Sequence, residues 1–203
     1  MFEILLSSLF SLGLIFLIAS LLFHDIRIAS IPVYLVIILI SYWSLVTTND
    51  AGPLPPTYDN GWLWVHIFVG KVFLGLSLIA ASLAITCLWL VTVMRKPTSS
   101  PDIRNLEATA WRYLSLSFIF HSLMLIAGAV WAQDAWGRYW GWDPLESWAF
   151  ATWLSIALAL HSRITYRLHA VSGWIMISAV FVLAFFTFFG VPFVSIAPHK
   201  GAI

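Results

Sequence analysis

Apolar residues fall along this chain in long runs separated by short polar stretches. A membrane span needs about 20 apolar residues at about 1.5 Å rise each. Six runs meet or approach that length: residues 4–23, 31–46, 62–94, 111–130, 144–160 and 171–190. The third exceeds one span, and Lys71 near its start places 62–70 at the interface with the span proper after it. Residues 47–61, TTNDAGPLPPTYDNG, have the proline, glycine and aspartate content of a loop. Residues 95–110 form a second polar loop, and 161–169 a third. A start signal precedes the fifth run. Asp143 stands at the N-cap, Pro144 at N1 and Glu146 at N3, a capping-box arrangement in which the missing proline N–H costs nothing. The pattern therefore predicts an all-α integral membrane protein: one polytopic domain over 1–203, about six transmembrane helices, and a tryptophan-rich loop between helices 4 and 5.

Composition strengthens this reading. The chain is 61% hydrophobic and 9% charged, where soluble domains carry about 25% charged residues. Mean hydropathy is +0.93. A formal net charge of +1 offers no basic patch for phosphates, which argues against a nucleic-acid partner. The single cysteine, Cys87, lies inside an apolar run, so there is no disulfide framework, CxxC or zinc spacing. The first run lacks a basic n-region and a clear small-residue cleavage site, and is expected to stay as a helix.

Charge bias then orients the spans. The loops after spans two and four hold only Arg138, whereas those after spans one, three and five hold Arg27, then Arg95, Lys96 and Arg104, then Arg163 and Arg167. The positive-inside rule puts the second set in the cytoplasm. Both termini, the proline-rich loop and the tryptophan-rich loop are thus expected outside, with Lys200 as the exception on the outer tail.

Residues 131–153, WAQDAWGRYWGWDPLESWAFATW, hold six of the twelve tryptophans. The aromatic belt at membrane interfaces accounts for scattered rings such as Trp62, Trp64, Trp89, Trp111 and Trp174, but not for this density. The stretch also carries Asp134, Arg138, Asp143 and Glu146. Asp134 reads as solvated, and the other two acids read as caps. A polar, ring-lined segment at an interface suits a flat apolar ligand.

Histidines supply the candidate chemistry. His66 at the mouth of span three and His199 on the tail share a side with the tryptophans; His24, His161 and His169 lie at the opposite face, and His121 falls mid-span. An interfacial histidine is usually just a polar residue in a tolerable place. Two imidazoles, however, are what six-coordinate haem iron takes from a protein. Tryptophan rings could cover the porphyrin while Arg138 and Lys200 meet its propionates. His121, ionisable within the bilayer, is a functional candidate by position, with a neutral interhelical bond as the plainer alternative.

The run Trp136-Gly137-Arg138-Tyr139-Trp140-Gly141-Trp142-Asp143-Pro144-Leu145-Glu146-Ser147-Trp148-Ala149 resembles the WWD signature of membrane proteins that handle haem in cytochrome c maturation, the CcsA (ResC) and CcmC proteins. WGxxWxWD is common to both. The continuation DPxExWA, with Ala129-Val130-Trp131-Ala132 before it, is more similar to the CcsA/ResC branch. The resemblance covers roughly 62–200, with 131–153 as the signature. It implies haem b as ligand and substrate, with Trp136, Arg138, Trp140, Trp142, Asp143 and Trp148 around it. It further implies His66 and His199 as iron ligands, the latter after Phe189-Gly190-Val191, and His161, in Leu160-His161-Ser162-Arg163, as a ligand of an inner haem site.

The implied function is presentation of haem at the outer face for covalent attachment to the CxxCH segment of an apocytochrome c. The chain would be a subunit of a holocytochrome c synthase (haem lyase) and would itself supply no catalytic nucleophile. Implied partners are a CcsB/ResB-like membrane protein and a thiol-reducing protein or haem chaperone, in a bacterial cytoplasmic or thylakoid-type membrane. Two departures stand out. The family's His-Ser-Tyr-Gly reads here His199-Lys200-Gly201-Ala202, and six spans match CcmC better than the longer CcsA proteins. CcmC-like delivery to a haem chaperone, and a non-catalytic subunit that retains the signature, remain as alternatives. A di-haem cytochrome b-type carrier would need histidine pairs facing each other within the bilayer, and only His121 is mid-span.

Overall fold

The computed structural model describes residues 2–47, 59–166 and 168–194. Helix α1 (Phe2–Leu22) leads through a 3₁₀ segment (His24–Ala29) into α2 (Ser30–Val46). Then follow α3 (Gly61–Thr92), α4 (Pro101–Trp136), α5 (Pro144–Tyr166) and α6 (Ala170–Phe185). A π-helical turn (Phe186–Gly190) joins α6 to the short α7 (Val191–Val194). Among the described residues there is no strand. Among the described residues, five helical stretches are long and apolar enough to cross a membrane, α2 being counted with its 3₁₀ lead and α6 with its π turn. The expected sixth, α5, has 23 residues, enough to span. Glu146, Thr152, Ser155 and Ser162 dilute its apolar character. The architecture is that of an all-α integral membrane protein.

Helix α3 is the axis of the bundle. Its most apolar window is 72% buried inside the protein, against 22% to 39% for the other four spans. Small side chains explain why it can be surrounded. Gly70, Gly75, Ser77, Ala80, Ala81, Ser82 and Ala84 are all buried and let neighbouring backbones approach. In lipid, where apolar burial gains nothing over contact with acyl chains, such close packing is what holds helices together. The outer helices keep large apolar residues on the surface, among them Phe10, Leu21, Ile31, Leu45 and Val182, a face suited to lipid.

Helix α4 lies antiparallel on α3 in constant register. Asn60 reaches Asp134, His66 lies over Gly128, Gly70 faces Met124, and Phe73 stacks on His121. Two expected boundaries change here. Residues 101–110 were read as loop, but α4 begins at Pro101 behind Ser100, because proline suits a helix's first turn. Residues 131–136 were assigned to the external loop, but α4 continues to Trp136 and stops at Gly137, whose φ of 73° closes the helix. The tryptophan-rich stretch is therefore mostly helical, with residues 137–143 as the link.

Two polar side chains inside the bundle tie its helices together. Lys71, on α3, reaches α1: its Nζ donates to the Ser7 hydroxyl at 3.1 Å, to the Ile4 carbonyl at 3.3 Å, and to the Ser8 hydroxyl. The π turn is held against α5 by Thr187, whose hydroxyl meets that of Thr152 at 3.0 Å and donates to the Leu183 carbonyl at 2.9 Å. Backbone groups freed by an irregular turn need such partners in a bilayer.

The Lys71 contact predicts an asymmetry. Removing two of its three acceptors (Ser7→Ala with Ser8→Ala) should destabilise the protein in detergent by about 1–3 kcal/mol, because the ammonium keeps only the Ile4 carbonyl. Adding Lys71→Met should recover most of that loss, since an ion removed altogether costs less than an ion left unpaired. Thermal unfolding of the double variant, the triple variant and Lys71→Met alone measures it, and additive losses would contradict the contact.

Candidate haem-handling site

The link between α4 and α5 is built around one carboxylate. Glu146 is buried and accepts from the Gly141 amide at 2.7 Å and the Asp143 amide at 3.3 Å. Asp143 reciprocates, its Oδ1 accepting from the Glu146 amide at 2.9 Å. The capping box expected from the sequence is thus formed, and it extends back to Gly141. Trp142, between those amides, has φ of 56°, a left-handed conformation uncommon for a bulky residue. Its ring is 69% exposed. The link thus carries backbone strain at a residue whose indole is held outward.

The other rings divide into scaffold and surface. Trp131 is buried, and Trp153 donates from Nε1 to the Ser122 hydroxyl at 2.8 Å while stacking on Phe150 at 6.0 Å. Both stiffen the bundle. Trp136 sits edge-on to Trp131 at 4.9 Å. Trp140 and Trp142 form an edge pair at 5.7 Å, each also edge-on to Phe150. Trp148 is 40% exposed and rests edge-on against Phe186 of the π turn at 5.0 Å. The Nε1 of Trp140 is buried without an acceptor among the described residues. Arg138 is exposed, and its guanidinium lies over the bare Cα of Gly141.

His66 stands beside this cluster. Its half-buried ring stacks on Trp131 at 6.2 Å and 24°. Its Nδ1 lies 2.9 Å from the Met124 carbonyl of α4. A carbonyl only accepts, so Nδ1 carries the proton, and the lone pair of the neutral ring belongs to Nε2. Protein-bound metals usually meet imidazole in this state, with one nitrogen donating to a carbonyl and the other facing the ion. The residues therefore fit an iron porphyrin: an oriented imidazole, exposed indoles and a guanidinium at one end of the bundle.

The remaining candidates lie elsewhere. His199 and Lys200 fall outside the described residues. His161 is exposed near the far end of α5, its Nε2 3.3 Å from the Thr165 hydroxyl, and does not join the tryptophan cluster. Nearby, Arg163 lies over the Trp111 ring at 4.7 Å, which puts that end of α5 beside the start of α4. His121 is buried face to face with Phe73 at 4.1 Å, and its Nδ1 has no partner among the described residues. Among the described residues no three His, Cys, Asp or Glu side chains converge on a point. Asp134, expected to be merely solvated, accepts from Asn60 at 3.0 Å and ties the top of α3 to the end of α4. Met124 and Gly128 escaped the sequence reading. Their signal was the 124, 128, 131 spacing, which lines one face of a helix.

The family model for the cytochrome C assembly protein matches residues 2–199. The chain belongs to this family. Among curated relatives it is similar to the cytochrome c biogenesis protein CcsA of Chlamydomonas reinhardtii, at 34% identity over 75% of this chain and 44% of the relative. It is likewise similar to CcsA of Cuscuta reflexa, at 41% over 48% of this chain and 32% of the relative. CcsA of Guillardia theta is 32% identical over 83% of this chain and 64% of the relative. The chain therefore spans between about a third and two thirds of the length of these relatives. No solved structure is significantly similar to it.

Within the family's signature, the Glu146 network makes a direct prediction. Glu146→Ala should cost about 1–3 kcal/mol, the range for buried donors left without an acceptor. Amide hydrogen exchange at Gly141 and Asp143 should speed up, with Glu146→Gln, which keeps one neutral acceptor, in between. Unchanged exchange at both amides would contradict the network.

Proposed function

We propose that this chain binds haem at the outer face of a membrane and presents it for covalent attachment to an apocytochrome c. The observation that carries the reading is the His66 ring, whose Nδ1 donates to the Met124 carbonyl and so puts the ring's lone pair on Nε2, beside the exposed indoles. His66 and His199 would hold the iron. The exposed indoles of Trp142 and Trp148, with Trp136 and Trp140, offer the haem apolar contact. Arg138 meets a propionate. Asp143 supports the site by holding the link in shape. The name shared by the relatives, cytochrome c biogenesis protein CcsA, supports the synthase-side reading over delivery to a chaperone.

The chemistry asked of the protein is positioning. Each thiol of a CxxCH segment adds across a vinyl group of the haem: the sulfur bonds one vinyl carbon and the thiol proton ends on the other, with no net oxidation. The substrate's own histidine then replaces one of the two protein ligands. This chain supplies the ligands, the platform and the orientation, while the reactive sulfur is the substrate's. A CcsB/ResB-like membrane protein completes the assembly, a thiol-reducing protein keeps the substrate cysteines reduced, and His161 belongs to an inner haem site at the opposite face. Lys/Arg bias supports an outer position for the 137–143 link.

Chain purified after expression with haem should show a reduced bis-imidazole spectrum, and His66→Ala with His199→Ala should abolish it. Full haem retention in that double variant would overturn the ligand assignment. Co-expression with a CxxCH reporter and the partner should give covalent haem on the reporter. Haem found instead on a chaperone would favour the delivery reading, and a reporter fusion that puts the link in the cytoplasm would overturn both.

A further inference from the structure

His66 is seated as closely as it is because α4 has no side chain beneath it. A Cβ at Gly128 would fall 2.7 Å from Nδ1 and 2.9 Å from Cε1 of the ring. Contacts below about 3 Å do not occur for real Cβ atoms, and here the obstructed group is a ring held on both sides. Trp131, one turn further along α4, stacks on it, and the Met124 carbonyl, one turn earlier, accepts a hydrogen bond from its Nδ1–H. Residues 124, 128 and 131 therefore line one face of α4 and together hold one imidazole. A helix carbonyl has two lone pairs and can serve both its own helix and the ring.

We propose that the Met124 carbonyl and Gly128 form a seat that sets the ligand strength of His66, with Gly128 as a positioning residue for the imidazole. The proposal rests on the reading of His66 as an iron ligand. Donation from Nδ1 pushes electron density onto Nε2, and a more basic ligand favours ferric iron. It also fixes the ring plane, so Nε2 meets the iron from one direction. Gly128 acts because it has no Cβ: any other residue pushes the ring off the carbonyl, and the imidazole becomes a weaker, freely rotating ligand. The seat thus tunes how firmly His66 keeps its iron, and so how readily this side releases when the substrate's histidine arrives.

The first test removes the ring and returns it as a free molecule. In His66→Gly chain carrying haem, imidazole and 1-methylimidazole are titrated separately until the low-spin spectrum returns. Both ligate iron, but only imidazole has an N–H to give to the Met124 carbonyl. After correction for each ligand's affinity for haem in the same detergent, imidazole should restore the spectrum at about 3–10-fold lower concentration, the net worth of one hydrogen bond. Equal potency would overturn the seat.

A second comparison keeps His66. Gly128→Ala should shift the haem midpoint potential to more positive values and weaken the low-spin signal. Gly75→Ala should change neither, because a Cβ there meets Ile15 of α1 and not the face of α3 that packs on α4. Equal potentials in the two variants would also overturn the proposal, even if neither free ligand rescues His66→Gly. If His66→Gly keeps the parent spectrum, the ligand reading itself fails. If it loses the spectrum and both imidazoles restore it equally, only the seat fails.

Discussion

The closeness of α3 to α4 sets everything else in this protein. Two helices can lie this near only where side chains are small, and Gly70 on one and Gly128 on the other provide that room. The seam then fixes the register from Asn60 and Asp134 at one end to Phe73 and His121 deep in the bundle. The site inherits its geometry from this register. His66 meets a carbonyl because the seam puts Met124 across from it, and Trp131 meets His66 because it lies a turn beyond Gly128. The interaction is van der Waals contact in a solvent that rewards no apolar burial, so shape complementarity does the holding.

Much of the fold was legible in the chain. Apolar runs gave the spans, and Asp143, Pro144 and Glu146 announced the start of α5, because capping is a local interaction between residues three apart. The ends of α4 were misplaced for a related reason. A hydropathy window stops where Gln133 and Asp134 begin, yet a helix stops where backbone geometry does, at Gly137. Ser100 and Pro101 carried the matching start signal at the other end. The central place of α3 was less visible. Its apolarity resembles that of α1, and only its small residues distinguish a helix surrounded by protein from one surrounded by lipid.

At the site, the sequence identified residue types better than it identified partners. His66 and the tryptophans stood out as rare residues in an unusual density. Which atoms of His66 are engaged depends on Met124, some sixty positions away, and on the absence of a side chain at Gly128. No local pattern encodes that contact; it follows from the seam. The same holds for Asp134, whose carboxylate looked merely exposed until Asn60 was found opposite it. Trp142 shows a different limit. Its left-handed backbone is imposed by Gly141 and Asp143 both turning toward the Glu146 carboxylate, a tertiary demand on a residue that prefers otherwise.

The π turn at Phe186–Gly190 has a geometric effect of its own. Widening one turn of a helix accommodates one more residue than the regular spiral would, and each residue of an α-helix advances the azimuth by about 100°. The face that α7 presents is therefore rotated from the one that a regular continuation of α6 would dictate. Thr187 pins this offset to Thr152 of α5, the helix that opens with Glu146. Val191 and Pro192, the first residues of α7, thus take their phase from the α5 side of the molecule and not from the regular helix before them.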